Sequence, residues 1–256
     1  MRKISTDKLN TLFAEIAKDN ALYMPQDTDG GAKFEKWEEG CTLSDALNTV
    51  RSAKDFFFPQ TENLMDFKME GKNIEIIDTR KECEDFVVFG IRACDVKSFE
   101  VLDRVFLAEP VDTYYKNRRE HAVLMSVACT KPQETCFCKT FGIDASEPEG
   151  DIVCYKTDDA LYMDAKTEKG EKLLKSLEKI TEDADESAAD EQKNMIKERF
   201  SKLPLANLSA DKFGKDKTSE FFNAPEWSEL SETCLGCGTC TFVCPTCQCY
   251  DIKDFN

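Results

Sequence analysis

The sequence predicts an α+β domain, in which a mixed sheet contains a βαβ unit, followed by a small helical segment. Two apolar runs, at residues 86–91 and 122–127, have the composition of buried strands. Between them, Phe99, Leu102 and Phe106 recur at helical spacing. This order predicts a parallel pair of strands joined by a right-handed crossover helix. The segment after residue 225 is instead dominated by clustered cysteines.

The other elements follow from similar patterns along the chain. An amphipathic helix is predicted after Thr6, which is the expected N-cap, and Asp95 is the expected N-cap of the crossover helix. A hairpin is predicted around Asp158 and Asp159. The charged stretch from residue 166 to about 200 is predicted to be helical, with an acidic connector at residues 182–191.

These patterns divide the chain into three predicted parts. Residues 1–202 form the α/β-type N-terminal domain, residues 203–225 a linker, and residues 226–256 the small helical segment. A chain of 256 residues is long enough to bury a substantial hydrophobic core.

Composition excludes several kinds of partner. Lys and Arg total 34 against 50 Asp and Glu, so the net charge is −16. Such an acidic surface repels nucleic acid and anionic lipid. With no apolar run of eighteen residues and no signal-peptide pattern, the chain is expected to be cytoplasmic and not bound to a membrane. Thirteen cysteines in that reducing compartment indicate metal ligation rather than disulfides.

The C-terminal cysteines have the spacing of a bacterial ferredoxin motif. Cys234, Cys237 and Cys240 are separated by two residues each, and Cys244 follows immediately before Pro245. The spacing predicts that these four cysteines bind a [4Fe–4S] cluster, so that the segment is ferredoxin-like; a zinc site is the alternative. Two more cysteines, Cys247 and Cys249, are candidate metal ligands whose role the spacing leaves open.

A second candidate site lies in the N-terminal domain. If the strands at 86–91 and 122–127 are parallel, Cys94 and Cys129 come together at one edge of the sheet, where open α/β sheets bind ligands. Cys136 and Cys138 follow closely after Cys129. These four cysteines are predicted to bind one iron–sulfur cluster; the alternative is four unrelated thiols. Cys41, Cys83 and Cys154 lie outside both groups and are expected to be structural.

Together, these motifs resemble one family of iron–sulfur proteins. The matching residues are Ile91 to Asp95, Leu102 to Leu107, Cys129 with Thr135 to Cys138, the run from Cys234 to Cys249, and Lys54-Asp55 with Phe58-Pro59. The family comprises the iron–sulfur subunits of anaerobic sulfite reductases and the beta subunit of cytosolic sulfhydrogenases, NiFe hydrogenases of the 4Fe–4S dicluster type. Family members continue to a second ferredoxin run, which this sequence does not contain.

The resemblance implies a subunit that relays electrons between a flavoprotein binding FAD and NAD(P) and a catalytic reductase or hydrogenase subunit. The sequence itself shows no acid–base pair, nucleophile, flavin site or nucleotide loop, which fits an electron-transfer subunit without catalytic residues of its own. Two alternatives are a reductase whose substrate reacts at an unusual N-terminal cluster, and a zinc or redox-sensing protein.

Overall fold

The structure is a computed structural model that describes residues 1–46, 48–211 and 214–252. The predicted mixed α+β architecture is confirmed. Eight of its strands form one sheet in the order β10-β1-β9-β8-β7-β6-β2-β3. The strands are β1 Arg2–Ser5, β2 Ala21–Thr28, β3 Gly31–Lys36, β4 Asp66–Glu70, β5 Asn73–Ile77, β6 Phe86–Ile91, β7 Ala122–Val127, β8 Ile152–Lys156, β9 Ala160–Ala165 and β10 Glu182–Asp183. Strands β4 and β5 form a separate hairpin.

The centre of the sheet is parallel and its flanks are antiparallel. Strands β2, β6, β7 and β8 pair in parallel, whereas β3, β9, β1 and β10 add antiparallel neighbours. The predicted βαβ unit is therefore confirmed as β6–α2–β7. The hairpin predicted around Asp158 and Asp159 is also confirmed, as β8 and β9.

Helices cover both faces of the sheet. The helices are α1 Leu9–Ile16, α2 Ala93–Phe106, α3 Thr113–His121, α4 Glu168–Ser176, α5 Ser187–Ser201, α6 Glu226–Ser231 and α7 Thr239–Val243. One core joins α1 and α4 to alternate residues of the central strands, such as Val87 and Phe89. The residues between them, such as Phe86 and Val88, face α2 and α3. This alternation follows from the two-residue period of a strand that is buried on both faces.

A bulge at Gly90 ends the regular part of β6 close to the candidate site. Gly90 has a φ of 88°, and its pairing with β7 shifts between Phe89 and Ile91. A Cβ at this position would lie 2.8 Å from the Pro25 ring on β2. Glycine is therefore required here by both the backbone conformation and the close approach of β2.

Three local predictions are wrong. Ser5, not Thr6, precedes a short 3-10 helix at Thr6–Lys8, and α1 begins only at Leu9. Arg92, not Asp95, is the N-cap residue of α2. The acidic stretch at residues 182–191 is not a plain connector, because Glu182–Asp183 pairs with β1 and α5 begins at Ser187.

Asp103, one of the residues that carry the family resemblance, has a structural role. Its carboxylate accepts hydrogen bonds from the Tyr115 hydroxyl at 2.6 Å and from two nitrogens of Arg119 at 2.9 and 3.0 Å. Arg119 in turn stacks over the rings of Phe57 and Phe99. The network therefore ties α2 to α3. Within the described residues, no helix is both long and apolar enough to cross a lipid bilayer.

Candidate metal centres

The sheet places Cys94 and Cys129 at the same edge. Ile91 at the end of β6 pairs with Ser126 of β7, so each cysteine follows a paired residue by three positions. Cys94 lies in the first turn of α2, and Cys129 follows β7 directly. Because the two strands are parallel, their carboxyl ends open onto one side of the molecule.

The loop after Cys129 turns back on itself at Cys136 and Cys138. The Cys136 N–H donates to the Gln133 carbonyl at 3.0 Å, and the Gln133 N–H donates to Cys136 Sγ at 3.3 Å. Cys138 begins a 3-10 helix that runs to Phe141, and its carbonyl accepts from the Ile143 N–H at 3.1 Å. The backbone of Cys129 is held through its N–H to Ala145 at 2.9 Å.

The four thiols, which we call the N-terminal cysteine group, affect one another electrostatically. Burial raises the pKa of Cys129 to about 11; nearby Arg92 opposes this rise, and Cys136 and Cys138 add to it. The Cys94 thiol still reaches the surface, yet desolvation by the surrounding protein, with Asp95, Cys138 and Cys129, raises its pKa to about 12. Burial and then Cys136 raise the pKa of Cys138. A bound cation would have to replace the protons on these thiols.

The C-terminal cysteine segment, residues 234–249, is built from tight turns around α7. Gly236 and Gly238 lie between successive cysteines and have left-handed φ values of 68° and 72°. A Cβ on either residue would meet no atom within 4 Å, so the backbone conformation, and not lack of space, requires glycine at these positions. The two turns reverse the chain direction between Cys234, Cys237 and α7, which carries Cys240.

Hydrogen bonds to sulfur prepare two of these cysteines for the thiolate state. The Thr239 hydroxyl lies 3.3 Å from Cys237 Sγ, and with the Thr239 backbone N–H it lowers the pKa of Cys237. At Cys244 burial acts to raise the pKa, but the Thr246 hydroxyl, backbone N–H groups and Lys54 outweigh it and the pKa is lowered. Our sequence analysis missed both threonines, although each follows a cysteine by two positions.

The remaining two cysteines of the segment lie side by side. A hydrogen bond with Cys247 and the charge of that thiol raise the pKa of Cys249. The structure thus brings Cys247 and Cys249 together, and their role as metal ligands stays a prediction. Outside both groups, Cys154 is fully buried in the core, as expected for a structural cysteine.

Sequence analysis also missed what lies beneath the C-terminal segment. The buried Lys54 ammonium donates to three carbonyls of the segment, and the Arg51 guanidinium lies 4.7 Å from the centre of the Phe242 ring. The only earlier signal was that Lys54 belongs to the motifs of the family resemblance.

The chemistry of both donor sets fits iron–sulfur ligation. Each offers four thiols, and backbone N–H groups of Gln133 and Gly236 donate to ligand sulfurs, the second at 3.4 Å to Cys234. Among residues 1–46, 48–211 and 214–252, no three His, Cys, Asp or Glu side chains already surround one metal position. The turns and hydrogen bonds define where the thiols lie, and ligation itself stays a prediction.

A known protein resembles this chain over nearly its whole length. The sulfhydrogenase 2 subunit beta of Pyrococcus furiosus is 29% identical over 254 residues, which make up 98% of this chain and 73% of that protein. The resemblance to the sulfhydrogenase beta-subunit family is confirmed. No family model and no solved structure matches the chain. Similarity to a sulfhydrogenase beta subunit includes both cysteine groups, because the alignment extends across almost all of the chain.

Proposed function

We propose that this chain is an electron-transfer subunit of a hydrogenase or reductase complex and holds a [4Fe–4S] cluster in its C-terminal segment. Cys234, Cys237, Cys240 and Cys244 are the proposed ligands. The observation that carries the proposal is a ferredoxin-type run in which hydroxyl and backbone donors reach the ligand sulfurs. The relationship to a sulfhydrogenase beta subunit supports it.

A second cluster is proposed at the N-terminal cysteine group. Cys94, Cys129, Cys136 and Cys138 meet at the carboxyl edge of a parallel sheet, and each affects the pKa of at least one other member. Burial at this edge leaves a low-dielectric site, which favours a cluster shielded from water.

The proposed division of labour follows from what each set of residues does. Bound clusters supply one-electron redox chemistry. The cysteine thiolates of the chain bind iron, while Thr239, Thr246 and backbone N–H groups donate hydrogen bonds to sulfur. Such bonds stabilise negative charge on the thiolates and so help to set the reduction potential.

The proposed partners are other subunits of the same enzyme. One is a flavoprotein that binds FAD and NAD(P), and the other is a catalytic reductase or hydrogenase subunit; the complex is proposed to be cytoplasmic. The net charge of −16 supports docking on basic surfaces of these subunits. Their association should weaken as salt rises, because exposed charges are screened within about 10 Å at 0.1 M.

Iron analysis of cysteine variants tests the proposal. Full-length protein purified without oxygen should contain about eight iron atoms and equivalent acid-labile sulfide, about four for each cluster. Cys237→Ala and Cys240→Ala should lose about four and one EPR signal of the reduced protein, while circular dichroism shows a folded N-terminal domain. Cys94→Ala and Cys138→Ala should lose the other four.

The matched control is Cys41→Ser, which lies outside both groups and should keep the full iron content. Zinc in place of iron would contradict the proposal and favour a structural metal site. Unchanged iron in Cys237→Ala and Cys240→Ala would refute the C-terminal ligand set. Turnover of a substrate by the isolated chain, lost with Cys94→Ala, would favour a reductase over an electron-transfer subunit.

A further inference from the structure

A buried lysine of the N-terminal domain is directed at the C-terminal cysteine segment. Lys54 lies in a 3-10 helix at Ala53–Phe56 and is only 5% exposed. Its ammonium donates to the carbonyl oxygens of Cys244 at 2.8 Å, Phe242 at 3.2 Å and Cys247 at 3.3 Å. Because lysine is rarely buried without acceptors, this convergence of three carbonyls is a specific arrangement.

The acceptors lie at the end of a helix that needs outside support. Helix α7 has only five residues, Thr239–Val243, too few for independent stability. Its last carbonyls have no partners within the helix and form the negative end of its dipole. A lysine ammonium at this position satisfies those carbonyls and complements their partial charge.

Neighbours of Lys54 hold the same segment. The Arg51 guanidinium stacks over Phe242 and forms an ion pair with Asp55. Further along, the rings of Phe58 and Tyr250 meet with their centres 6.2 Å apart. Residues 51–58 therefore form a platform under the C-terminal segment, and Lys54 provides the charge directly beside Cys244.

We propose that Lys54 is a positioning residue for the C-terminal metal centre, where it holds residues 242–247 in place and stabilises the reduced state through its charge. This inference rests on the proposed function, because it requires a cluster at Cys234, Cys237, Cys240 and Cys244. One-electron reduction adds a negative charge at the site, and a fixed ammonium nearby favours the more negative state. Without that charge, reduction is less favourable and the midpoint potential falls.

The test is an EPR-monitored redox titration of full-length protein, with dithionite as the reductant. Lys54→Met and Lys54→Gln should lower the midpoint of the C-terminal signal, with an about tenfold weaker reduction equilibrium, or about 59 mV for one electron. Lys54→Arg keeps the charge and should stay near the wild-type value. Lys172→Met removes an exposed lysine on α4 and controls for net charge.

Hydrogen exchange supplies a readout that does not depend on the cluster. Amides of residues 242–250 should exchange faster in Lys54→Met than in wild type or Lys172→Met, also in protein stripped of iron. If Lys54→Met fails to fold, the comparison of Lys54→Gln with Lys54→Arg decides the charge effect.

Two results would overturn the inference. The first is a midpoint and exchange rate in Lys54→Met equal to those of Lys172→Met. The second is a midpoint that falls as far in Lys54→Arg as in Lys54→Gln, because then the charge is not responsible. A wild-type chain without reducible iron would instead refute the proposed function, so the two failures are distinguishable.

Discussion

The two cysteine groups use the same side chain in opposite electrostatic settings. In the N-terminal group, desolvation raises the pKa of Cys94, Cys129 and Cys138. In the C-terminal segment, hydrogen bonds lower the pKa of Cys237 and Cys244. The comparison teaches that local donors can prepare a thiolate in an exposed loop, whereas a buried group needs a bound cation to displace its protons.

The groups also differ in what holds them together. The C-terminal thiols are neighbours in sequence, so two glycine turns and one short helix are enough to gather them. The N-terminal thiols depend on the pairing of β6 with β7 and on the loop that follows. The first site is therefore local, and the second requires the whole domain to fold.

Thiol reactivity should show the largest contrast between the groups. At pH 8, a thiol with a pKa of about 11, such as Cys129, is about one-thousandth thiolate. Alkylation by iodoacetamide should therefore be more than about tenfold slower at Cys129 than at Cys237, even though a more basic thiolate is more nucleophilic. The measurement is peptide mass spectrometry after brief alkylation of reduced, chelator-treated protein between pH 6 and 11.

The sign of each shift predicts the order of the pH midpoints. A lowered pKa exposes thiolate at lower pH, so Cys237 should react half-maximally below the pH of an ordinary cysteine, about 8.5. The raised pKa values of Cys94 and Cys129 delay their reaction to higher pH. Equal midpoints for Cys237 and Cys129 would contradict the electrostatic difference between the two groups.

A core substitution should separate the domain-dependent site from the local one. Leu102 of α2 is fully buried, and Leu102→Ala should lower the free energy of unfolding by about 3 kcal/mol through lost burial and a cavity. Urea denaturation followed by circular dichroism measures this change. The N-terminal cysteine group should then be protected less from alkylation, while the pH midpoint of Cys237 stays the same.

The matched control makes the same substitution in the C-terminal segment. Leu235 is 94% exposed, so Leu235→Ala should change the free energy of unfolding by less than about 0.5 kcal/mol. A large loss of stability in Leu235→Ala, or none in Leu102→Ala, would show that the two regions do not differ in this way.

The sequence predicted most where one local pattern dominated. The apolar runs at 86–91 and 122–127 are long enough to identify central strands, and their parallel pairing followed from the helix between them. Short or polar edge strands such as Glu182–Asp183 have no apolar period, and only pairing with β1 makes them strands. The same limit applies to the C-terminal site. Its cysteine spacing is visible in the sequence, but the contact between Lys54 and the carbonyl of Cys244 joins residues 190 positions apart.

The smallest expected effect concerns the hydroxyl donor at Cys237. Thr239→Val keeps the shape of the side chain and removes the hydroxyl that lies 3.3 Å from Cys237 Sγ. Because that donor favours the thiolate, its loss should raise the pKa of Cys237 and move its alkylation midpoint to higher pH. Thr241→Val on the same short helix is the matched control and should leave the midpoint in place, and the Cys129 profile should be the same in both variants. The backbone N–H of Thr239 remains in Thr239→Val, so the shift should be partial. An unchanged midpoint in Thr239→Val would mean that this backbone donor alone lowers the Cys237 pKa, and that the threonine two residues after the cysteine is not the signal we infer.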